Sequence, residues 1–435
     1  MKTGHIMLNG ILSLTLFVGC HEDDLPENQY LKGDVLLYSQ NDVNSFVDKH
    51  KNIQSLVIAG KLIIGSPENK ADPSDIQDIS GLSNIVEVIG KLQIGSNPRL
   101  PTTKGLQNIR SVGDLNINRN ENLVSLTFDN LESVHGQFVI FWNKSITSLD
   151  GFFALTSIGS YFNINLNESL MSLNGLGTLD TLRSMDITNN SALADISVLT
   201  DLVWVKEDVV IDGNPSLSTL SGLENLQYVG GDFLLDKGCL MCGNENLKEI
   251  RPVSLTFIGG DCKLSNNMNA AEIDFTRLKE IQGSLELNGF TQLSQIDGFE
   301  RLSRIGGDLS VKNNQALIDL DGFSNLNFLG GYLRVHANPS LESMRFGSLA
   351  FAKYISVVNN PGIVSFDGFF GSGIVINIGI EISRNNGLTD LCSLKPLIER
   401  AKVSATNPVT DIFNNGSQNQ EGYTNDYLWI EAKCN

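Results

Sequence analysis

Apolar and polar residues alternate in short runs along the chain, and these runs repeat. In "GGDLSVKNNQALIDLDGF" (306–323), Leu309 and Val311 form an apolar pair that two asparagines follow. Thirteen such pairs occur, mostly at steps of 22 to 25 residues, with one step of 29. They are Leu92/Ile94, Leu115/Ile117, Phe138/Ile140, Phe162/Ile164, Met185/Ile187, Val209/Ile211, Phe233/Leu235, Cys262/Leu264, Leu285/Leu287, Leu309/Val311, Leu333/Val335, Ile355/Val357 and Ile380/Ile382. Alternation with period two predicts β-strands, and the fixed step predicts a solenoid of stacked coils. Leu62/Ile64 is a possible fourteenth pair.

A column of asparagines runs through the repeat. Eleven of the thirteen coils have Asn five residues after the first member of the pair, and Gly238 and Phe290 are the exceptions. The column is Asn97, Asn120, Asn143, Asn167, Asn190, Asn214, Asn267, Asn314, Asn338, Asn360 and Asn385. Stacked coils bring equivalent residues to about 4.8 Å, so buried asparagines can bond to one another and to the backbone. The column therefore predicts a structural ladder, not a ligand site.

Glycines mark the corners of each coil. After the asparagine come two apolar residues, a Gly-Leu or Gly-Phe step, and "NLxxxGG" or a variant of it before the next strand. No stretch between corners has the length or the periodicity of an outer helix. The pattern predicts an all-β solenoid with several short parallel strands per coil, about 60 Å long for thirteen coils.

The consensus "GLxxLxxIGGxLxIxxNxxLxxLxGL" resembles the receptor L-domain family, which also has leucine-rich-repeat-like character. That resemblance covers about residues 53–394 and implies a right-handed parallel β-helix. It implies no particular ligand, because ligand contacts in that family lie on variable surface residues. Thirteen uninterrupted coils also exceed one L domain of the receptors.

Both ends of the solenoid need caps, since an open end exposes unpaired strand edges. Ser39 and Asp42 are spaced as in a capping box, with Val43, Phe46 and Val47 on one helical face. "LCSLKPLIERA" (391–401) predicts a second short helix. The expected organisation is a signal peptide at 1–19, a lipidated cysteine and polar tether at 20–33, an N-terminal cap at 34–60, the β-solenoid at 61–390, and a C-terminal cap at 391–435.

The N-terminus has the pattern of an export signal. Lys2 precedes the apolar run "ILSLTLFV" (11–18), which is too short to span a bilayer. "LFVGC" resembles the lipobox of bacterial lipoproteins, with Phe17 where Leu is usual, and "HEDD" resembles the export signal of Bacteroidetes surface lipoproteins. The resemblance implies lipidation of Cys20, exposure at the outer membrane or cell surface, and membrane contact through the lipid alone. An ordinary secretory signal with an incidental Cys20 is the alternative.

Net charge and cysteine spacing limit the partners further. A net charge of −18 excludes nucleic acid as an expected partner, because phosphate binding needs a basic face. Cys392 and Cys434 flank the non-repeating C-terminus and are expected to form a disulfide in an exported protein. Cys239 and Cys242 form a lone CxxC, more typical of a local disulfide or free thiols than of zinc. Cys262 occupies a core position. We expect no cofactor.

Residues that point outward from the strands are the candidate functional residues. Asp208, Asp232 and Asp261 stack in successive coils, either as a weak calcium site or as acceptors for nearby backbone N–H groups. Outward aromatic residues could stack on a sugar or anchor a protein, or a loop could cover them. They are Phe141, Trp142, Tyr161, Tyr332 and Tyr354.

No catalytic motif stands out in the repeats. His135 and His336 lie nine coils apart, and Lys312, Arg334 and His336 are the nearest approach to a basic cluster. The sequence therefore predicts a non-catalytic surface binding or adhesion protein whose ligand is a protein or a glycan. A structural spacer and a β-helix polysaccharide-degrading enzyme are the alternatives.

Overall fold

The chain folds as the repeat predicts. The computed structural model describes residues 28–66, 72–238, 243–371, 373–404, 409–413, 415 and 426–434. Within these ranges it is a right-handed parallel β-helix, in which 26 strands form one continuous sheet and two more form a small second sheet. The predicted fold class is confirmed.

Strands that follow the glycine corner form one side of the solenoid, and we call them the front strands. They are Val35–Leu37, Leu62–Gly65, Ile85–Gly95, Ser111–Asn118, Phe138–Phe141, Tyr161–Asn165, Ser184–Thr188, Val209–Asp212, Phe233–Leu234, Cys262–Lys263, Leu285–Asn288, Leu309–Lys312, Phe328–His336, Phe351–Val358, Val375–Ser383 and Val409–Phe413. Consecutive front strands pair in parallel and in register, as in Leu115↔Phe138 and Phe138↔Phe162.

Short strands before the corner form a second side, and we call them the side strands. They are Gln29–Leu31, Leu56–Ile58, Ser133–Val134, Ser157–Ile158, Thr181–Leu182, Trp204–Val205, Tyr228–Val229, Phe257–Ile258, Glu280–Ile281 and Arg304–Ile305. The longest front strands continue around the corner and complete this side. Glu249–Ile250 and Glu272–Ile273 form the small sheet.

The hydrophobic core runs along the solenoid axis. Both members of every predicted pair are fully buried. Phenylalanines of the Gly-Phe steps stack inside, with ring centroids 5.2 Å apart between Phe275 and Phe299 and between Phe299 and Phe323. Gly222, at the equivalent corner, has φ of +111°, and a Cβ there would lie 2.4 Å from the carbonyl oxygen of Ile196. Glycine is therefore required at this turn.

The array extends beyond the thirteen predicted coils. Leu62/Ile64 pairs with Leu92/Ile94, and Val35 and Leu37 pair with Leu62 and Ile64. At the other end Val409–Phe413 pairs with Val375–Ser383. Part of the expected polar tether is also ordered, since Gln29–Leu31 pairs with Leu56–Ile58.

The asparagine column forms a hydrogen-bonded ladder. All eleven predicted asparagines are fully buried. Asn190 is typical: its backbone N–H donates to Asn214 Oδ1 at 3.1 Å, and its Nδ2 donates to the carbonyl oxygen of Ile164 at 2.9 Å. Its own Oδ1 accepts the backbone N–H of Asn167 at 3.0 Å.

Two rungs differ from the sequence interpretation. The coil assigned Gly238 at the rung has Asn244 there instead, because the longer step displaces the rung along the chain. Asn214 N donates to Asn244 Oδ1 at 3.1 Å, and Asn244 N donates to Asn267 Oδ1 at 3.2 Å. Asn415, five residues past Thr410, adds a rung beyond Asn385. Phe290 is a true interruption, fully buried in place of an asparagine.

Helices cover both ends of the described array. Helix α1, Gln40–His50, begins with a capping box in which Ser39 and Asp42 bond reciprocally, and it buries Val43 and Phe46. Helices α2 and α3 at the C-terminal end are Lys395–Ser404 and Asp426–Lys433. The 3₁₀ segments are Ser80–Leu82, Ser197–Asp201, Asp321–Phe323 and Leu391–Leu394. None of the helices in the described ranges combines the length and the hydropathy that a bilayer crossing requires.

Candidate functional site

The outward surface of the front strands changes its chemistry along the solenoid. Between the coils of Leu92 and Phe162, the two central outward positions of each strand carry no charged residue. They are Gln93, Gly95, Asn116, Asn118, Val139, Phe141, Asn163 and Asn165. The patch is therefore uncharged and rich in amides, although the chain has 49 acidic and 31 basic residues.

A shallow cavity of about 200 Å³ lies in this patch. Its lining consists of Asn116, Asn118, Arg119, Val139 and Phe141, and we call these residues together with Trp142 the amide–aromatic site. Asn118 Nδ2 donates to Asn116 Oδ1 at 2.6 Å.

Trp142 stands beside the cavity because of its position in the coil. The residue that directly precedes each of the eleven predicted ladder asparagines adopts a left-handed backbone, and φ of Trp142 is +53°. The next residue, Asn143, is fixed by bonds to Ile117 O and Asn167 Oδ1. The indole is 41% exposed, its ring centroid lies 6.3 Å from that of Phe141, and Arg119 Cζ lies 5.6 Å from it. The ladder thus holds a half-exposed tryptophan at a rigid corner.

Tyr161 belongs to a separate polar network. Its hydroxyl donates to Asp186 Oδ2 at 2.9 Å and accepts from Asn163 Nδ2 at 3.0 Å. Burial and the bond to Asp186 raise the pKa of Tyr161 to about 12. Lys237 Nζ lies 2.5 Å from Asp186 Oδ2, so this network holds the chain next to the insertion against the front strands. Burial and the neighbouring Asp236 raise the pKa of Asp212 in the same region.

Tyr332 and Tyr354 are neighbours, with ring centroids 5.4 Å apart. Arg334 Cζ lies 4.5 Å from the ring centroid of Tyr332, and Arg334 also forms an ion pair with Asp308. Burial alone would raise the pKa of Asp308, but the bonds from the Tyr332 N–H and from Arg334 hold it below its usual value. Both tyrosines are half-buried, and they lie far along the solenoid from Trp142.

The aspartate column bonds to the backbone. Asp208 Oδ1 accepts the N–H of Asp232 at 2.8 Å, and Asp232 Oδ1 accepts the N–H of Asp261 at 2.7 Å. A Cβ on Gly260 would lie 2.0 Å from Asp232 Oδ1, which explains the Gly-Asp pairing at the corner. Within the described ranges, no group of three or more His, Cys, Asp and Glu residues is arranged to hold a metal ion.

His336, Ser356 and Glu381 form a chain of hydrogen bonds on the front surface. His336 Nε2 lies 2.7 Å from Ser356 Oγ, and Ser356 Oγ donates to Glu381 Oε2 at 2.7 Å. Burial, with a contribution from Lys312, lowers the pKa of His336. In a nucleophilic triad the histidine bridges the serine and the carboxylate. Here the buried serine is the bridge, so this group does not have the geometry of an activated nucleophile.

The side strands, together with the front strands that continue around the corner, carry an aromatic feature that the sequence pattern did not predict. Trp204, Tyr228 and Phe257 stack with centroids 4.6 and 5.1 Å apart, and Phe328 and Phe351 stack at 5.3 Å. We call these five rings the side stack. The signal was present, since each ring directly precedes a buried apolar residue near the glycine corner. The rings cover one another's faces and present edges, as in cross-strand pairs that stabilise a sheet.

The cysteines have distinct surroundings. Cys392 and Cys434 form a disulfide across 42 residues of sequence. Cys262 is a free, fully buried cysteine, and burial raises the pKa of its thiol. Cys20, Cys239 and Cys242 lie outside the described residues.

Known proteins resemble the chain only distantly. No family model matches it. It is 26% identical over 216 residues to a "Cell surface GPI-anchored protein" of Arthroderma benhamiae, covering 49% of this chain and 51% of that protein. It is 26% identical over 242 residues to "Sporulation-specific protein 2" of Saccharomyces cerevisiae, covering 48% and 47%. The chain spans about half the length of the curated relatives it matches.

Solved structures with a similar outline are more distant still. An internalin from Listeria monocytogenes is 15% identical with a TM-score of 0.31, covering 74% of this chain and 83% of that one. A leucine-rich repeat protein from Bacteroides ovatus is 14% identical with a TM-score of 0.21, covering 75% and 88%. Neither likeness is close enough to bear on function.

Proposed function

We propose that this chain is a non-catalytic binding or adhesion protein of the cell surface, which recognises a protein or a glycan on its front strands. One observation carries the proposal: the amide–aromatic site places an exposed tryptophan, a guanidinium and paired amides on a rigid strand stack. Exposed tryptophan and arginine side chains are frequent anchors of recognition surfaces. A preformed site also avoids much of the entropy cost of ordering on binding.

An array measurement tests this function. Purified protein is applied to glycan and host-protein arrays as wild type, Trp142→Ala and Trp204→Ala. Trp204 is a matched control, since it is 46% exposed against 41% for Trp142 and belongs to the side stack. We expect a ligand whose signal falls at least tenfold in Trp142→Ala and is retained in Trp204→Ala.

The other outcomes of the arrays distinguish the alternatives. Loss of binding in Trp204→Ala alone would place recognition on the side stack and overturn the proposed site. Absence of any wild-type ligand would favour a structural spacer. Release of sugars from a bound polysaccharide would favour the enzyme alternative.

Surface attachment through Cys20 is the second part of the proposal. It is supported by the "LFVGC" and "HEDD" segments and by a relative whose name places it at the cell surface. We expect Cys20→Ala to move the protein from the membrane fraction to the soluble fraction. As a control, Phe17→Leu supplies the usual lipobox residue and should keep the protein in the membrane fraction. Retention of Cys20→Ala in membranes contradicts lipidation.

A further inference from the structure

We propose that the ligand of the amide–aromatic site is a linear neutral glycan that lies along the solenoid axis. This inference rests on the proposed function and specifies the ligand of the same site. It is argued from the hydrogen-bonding groups, the charge and the register of the front strands.

Unused hydrogen-bonding groups of both kinds are present at the site. An asparagine side chain has two N–H donors and a carbonyl acceptor. The Asn118–Asn116 bond leaves the NH₂ group of Asn116 and the carbonyl oxygen of Asn118 available. Gly95 leaves room for the amides of Asn118 and Gln93, since a Cβ there would lie 3.1 Å from Asn118 Oδ1 and 3.2 Å from Gln93 Nε2. Neighbouring donors and acceptors match sugar hydroxyls, which both donate and accept.

Charge at the site selects against ionic ligands. The cavity lining contains no carboxylate to attract a cation, and its single cation, Arg119, lies over the Trp142 ring. A sulfated or uronic-acid chain would pass the surrounding surface of a protein with a net charge of −18, which repels anions. An uncharged ligand with many hydroxyls needs no carboxylate partner and is not repelled by the negative charge of the protein.

The aromatic groups complete the recognition of a sugar. Trp142 is 41% exposed at the rim, and Phe141 forms part of the cavity wall. An aromatic ring beside amides can pack against the C–H face of a pyranose while the amides bond to its hydroxyls. Trp142 also adds an indole N–H donor.

Register along the solenoid indicates a linear chain. Asn116, Val139 and Asn163 are equivalent positions in consecutive paired strands, as are Asn118, Phe141 and Asn165. These positions repeat about every 4.8 Å. An extended glycan could therefore meet amides in alternate coils, at Asn116 and Asn163, and an apolar surface from Val139 and Phe141 between them.

The test measures affinity by calorimetry for neutral oligosaccharides of increasing length and for sulfated and uronic-acid oligosaccharides. The variants are Asn116→Ala, Asn116→Asp, Trp142→Ala and, as a control, Asn225→Asp. Asn225 is exposed, and its amide bonds to Thr200 O in the neighbouring coil. Asn225→Asp therefore adds the same negative charge as Asn116→Asp, but outside the site. Far-UV circular dichroism verifies that each variant is folded.

We expect neutral oligosaccharides to bind with affinity that rises with chain length. Asn116→Ala should weaken binding about tenfold, which corresponds to one lost hydrogen bond, and Trp142→Ala tenfold or more. Asn225→Asp should leave the affinity unchanged. Asn116→Asp should weaken binding by no more than Asn116→Ala, because a neutral sugar is not repelled by the carboxylate.

Contrary results separate the two proposals. Trp142-dependent binding of a protein alone would overturn the glycan inference and leave the proposed function standing. If only anionic glycans bind, and Asn116→Asp abolishes that binding, the inference of a neutral glycan is overturned and the proposed function still stands. If no ligand of any class depends on Trp142, the proposed function itself fails.

Discussion

At the scale of single residues, the buried asparagine holds adjacent coils together. Asn190 Nδ2 bonds to the carbonyl oxygens of Ile164 and Thr188, while its Oδ1 accepts from Asn167. One side chain thus bonds backbone groups of two adjacent coils. The same hydrogen bonds fix the backbone of the outward residue that precedes each ladder asparagine. In this way the ladder fixes the position of Trp142, which precedes Asn143.

Replacement of Asn190 by alanine should therefore be costly. It leaves the backbone N–H of Asn167 and the Ile164 carbonyl oxygen buried without their partners, so we expect a loss of about 3 kcal/mol in unfolding free energy. Ser191→Ala removes one exposed bond to Glu168 O and should change stability by less than about 0.5 kcal/mol. Urea midpoints of the two variants provide the measurement. Equal midpoints would contradict a structural role for the ladder.

The left-handed position before each rung makes a second prediction. Ala337 has φ of +55°, where a side chain is strained by roughly 1 kcal/mol and glycine is not. Ala337→Gly should therefore raise the unfolding free energy by about 1 kcal/mol. Ala194→Gly, at a position where φ is not positive, should lower it by about 0.5–1 kcal/mol. Opposite shifts of the two thermal midpoints support the prediction, and a decrease in both contradicts it.

At the scale of elements, repetition decided what the sequence could predict. The front strands follow from an apolar pair that occurs in thirteen coils, and the ladder follows from an asparagine that occurs in eleven of them. With so many copies, an exception in a single coil does not alter the predicted fold. A fixed spacing of five residues after Phe233 leads to Gly238 and not to Asn244, because the insertion lengthens that spacing. The side stack lies before the glycine corner, outside the columns around the apolar pair that predict the coils. The sequence predicts the amide–aromatic site only in part. Trp142 is recognisable as an outward aromatic residue, whereas Asn116 and Asn118 become candidates only when the register of the strands places them beside Phe141.

The C-terminal cap depends on its disulfide. Cys434 follows α3, and the bridge ties that helix to the segment Leu391–Leu394 across 42 residues. Replacing both Cys392 and Cys434 by serine should lower stability by about 4 kcal/mol through the larger entropy of the unfolded chain. Release of the cap would also expose the edge of Val409–Phe413, the last front strand, and should promote self-association.

Thermal midpoints and light scattering test the role of the cap. A reducing agent should lower the midpoint of the wild type to that of the double variant and leave the variant unchanged. A further decrease in the reduced variant would indicate that a second disulfide contributes. An unchanged midpoint in the double variant would contradict the prediction.

At the scale of the whole molecule, Phe290 divides the ladder into two uninterrupted runs. One run extends from Asn97 to Asn267, and the other from Asn314 to Asn415. Phenylalanine cannot donate to the Leu264 carbonyl oxygen as an asparagine at 290 would. Asn267 compensates, since its Nδ2 donates to Leu264 O at 2.9 Å and to Ser265 O at 2.8 Å within its own coil. Stability in such arrays is a sum over neighbouring coils, so this boundary is the weakest link of the ladder.

Hydrogen exchange of the rung amides tests that boundary. Asn190 N–H and Asn338 N–H donate to the next rung at 3.1 and 3.0 Å, whereas Phe290 offers Asn267 N–H no side-chain acceptor. One missing hydrogen bond is worth about 1 kcal/mol, so we expect roughly fivefold lower protection at Asn267. A cooperative unit that spans the whole solenoid would instead give equal protection at all three amides. That result would mean that the core around Phe290 couples the two runs as strongly as an asparagine rung does.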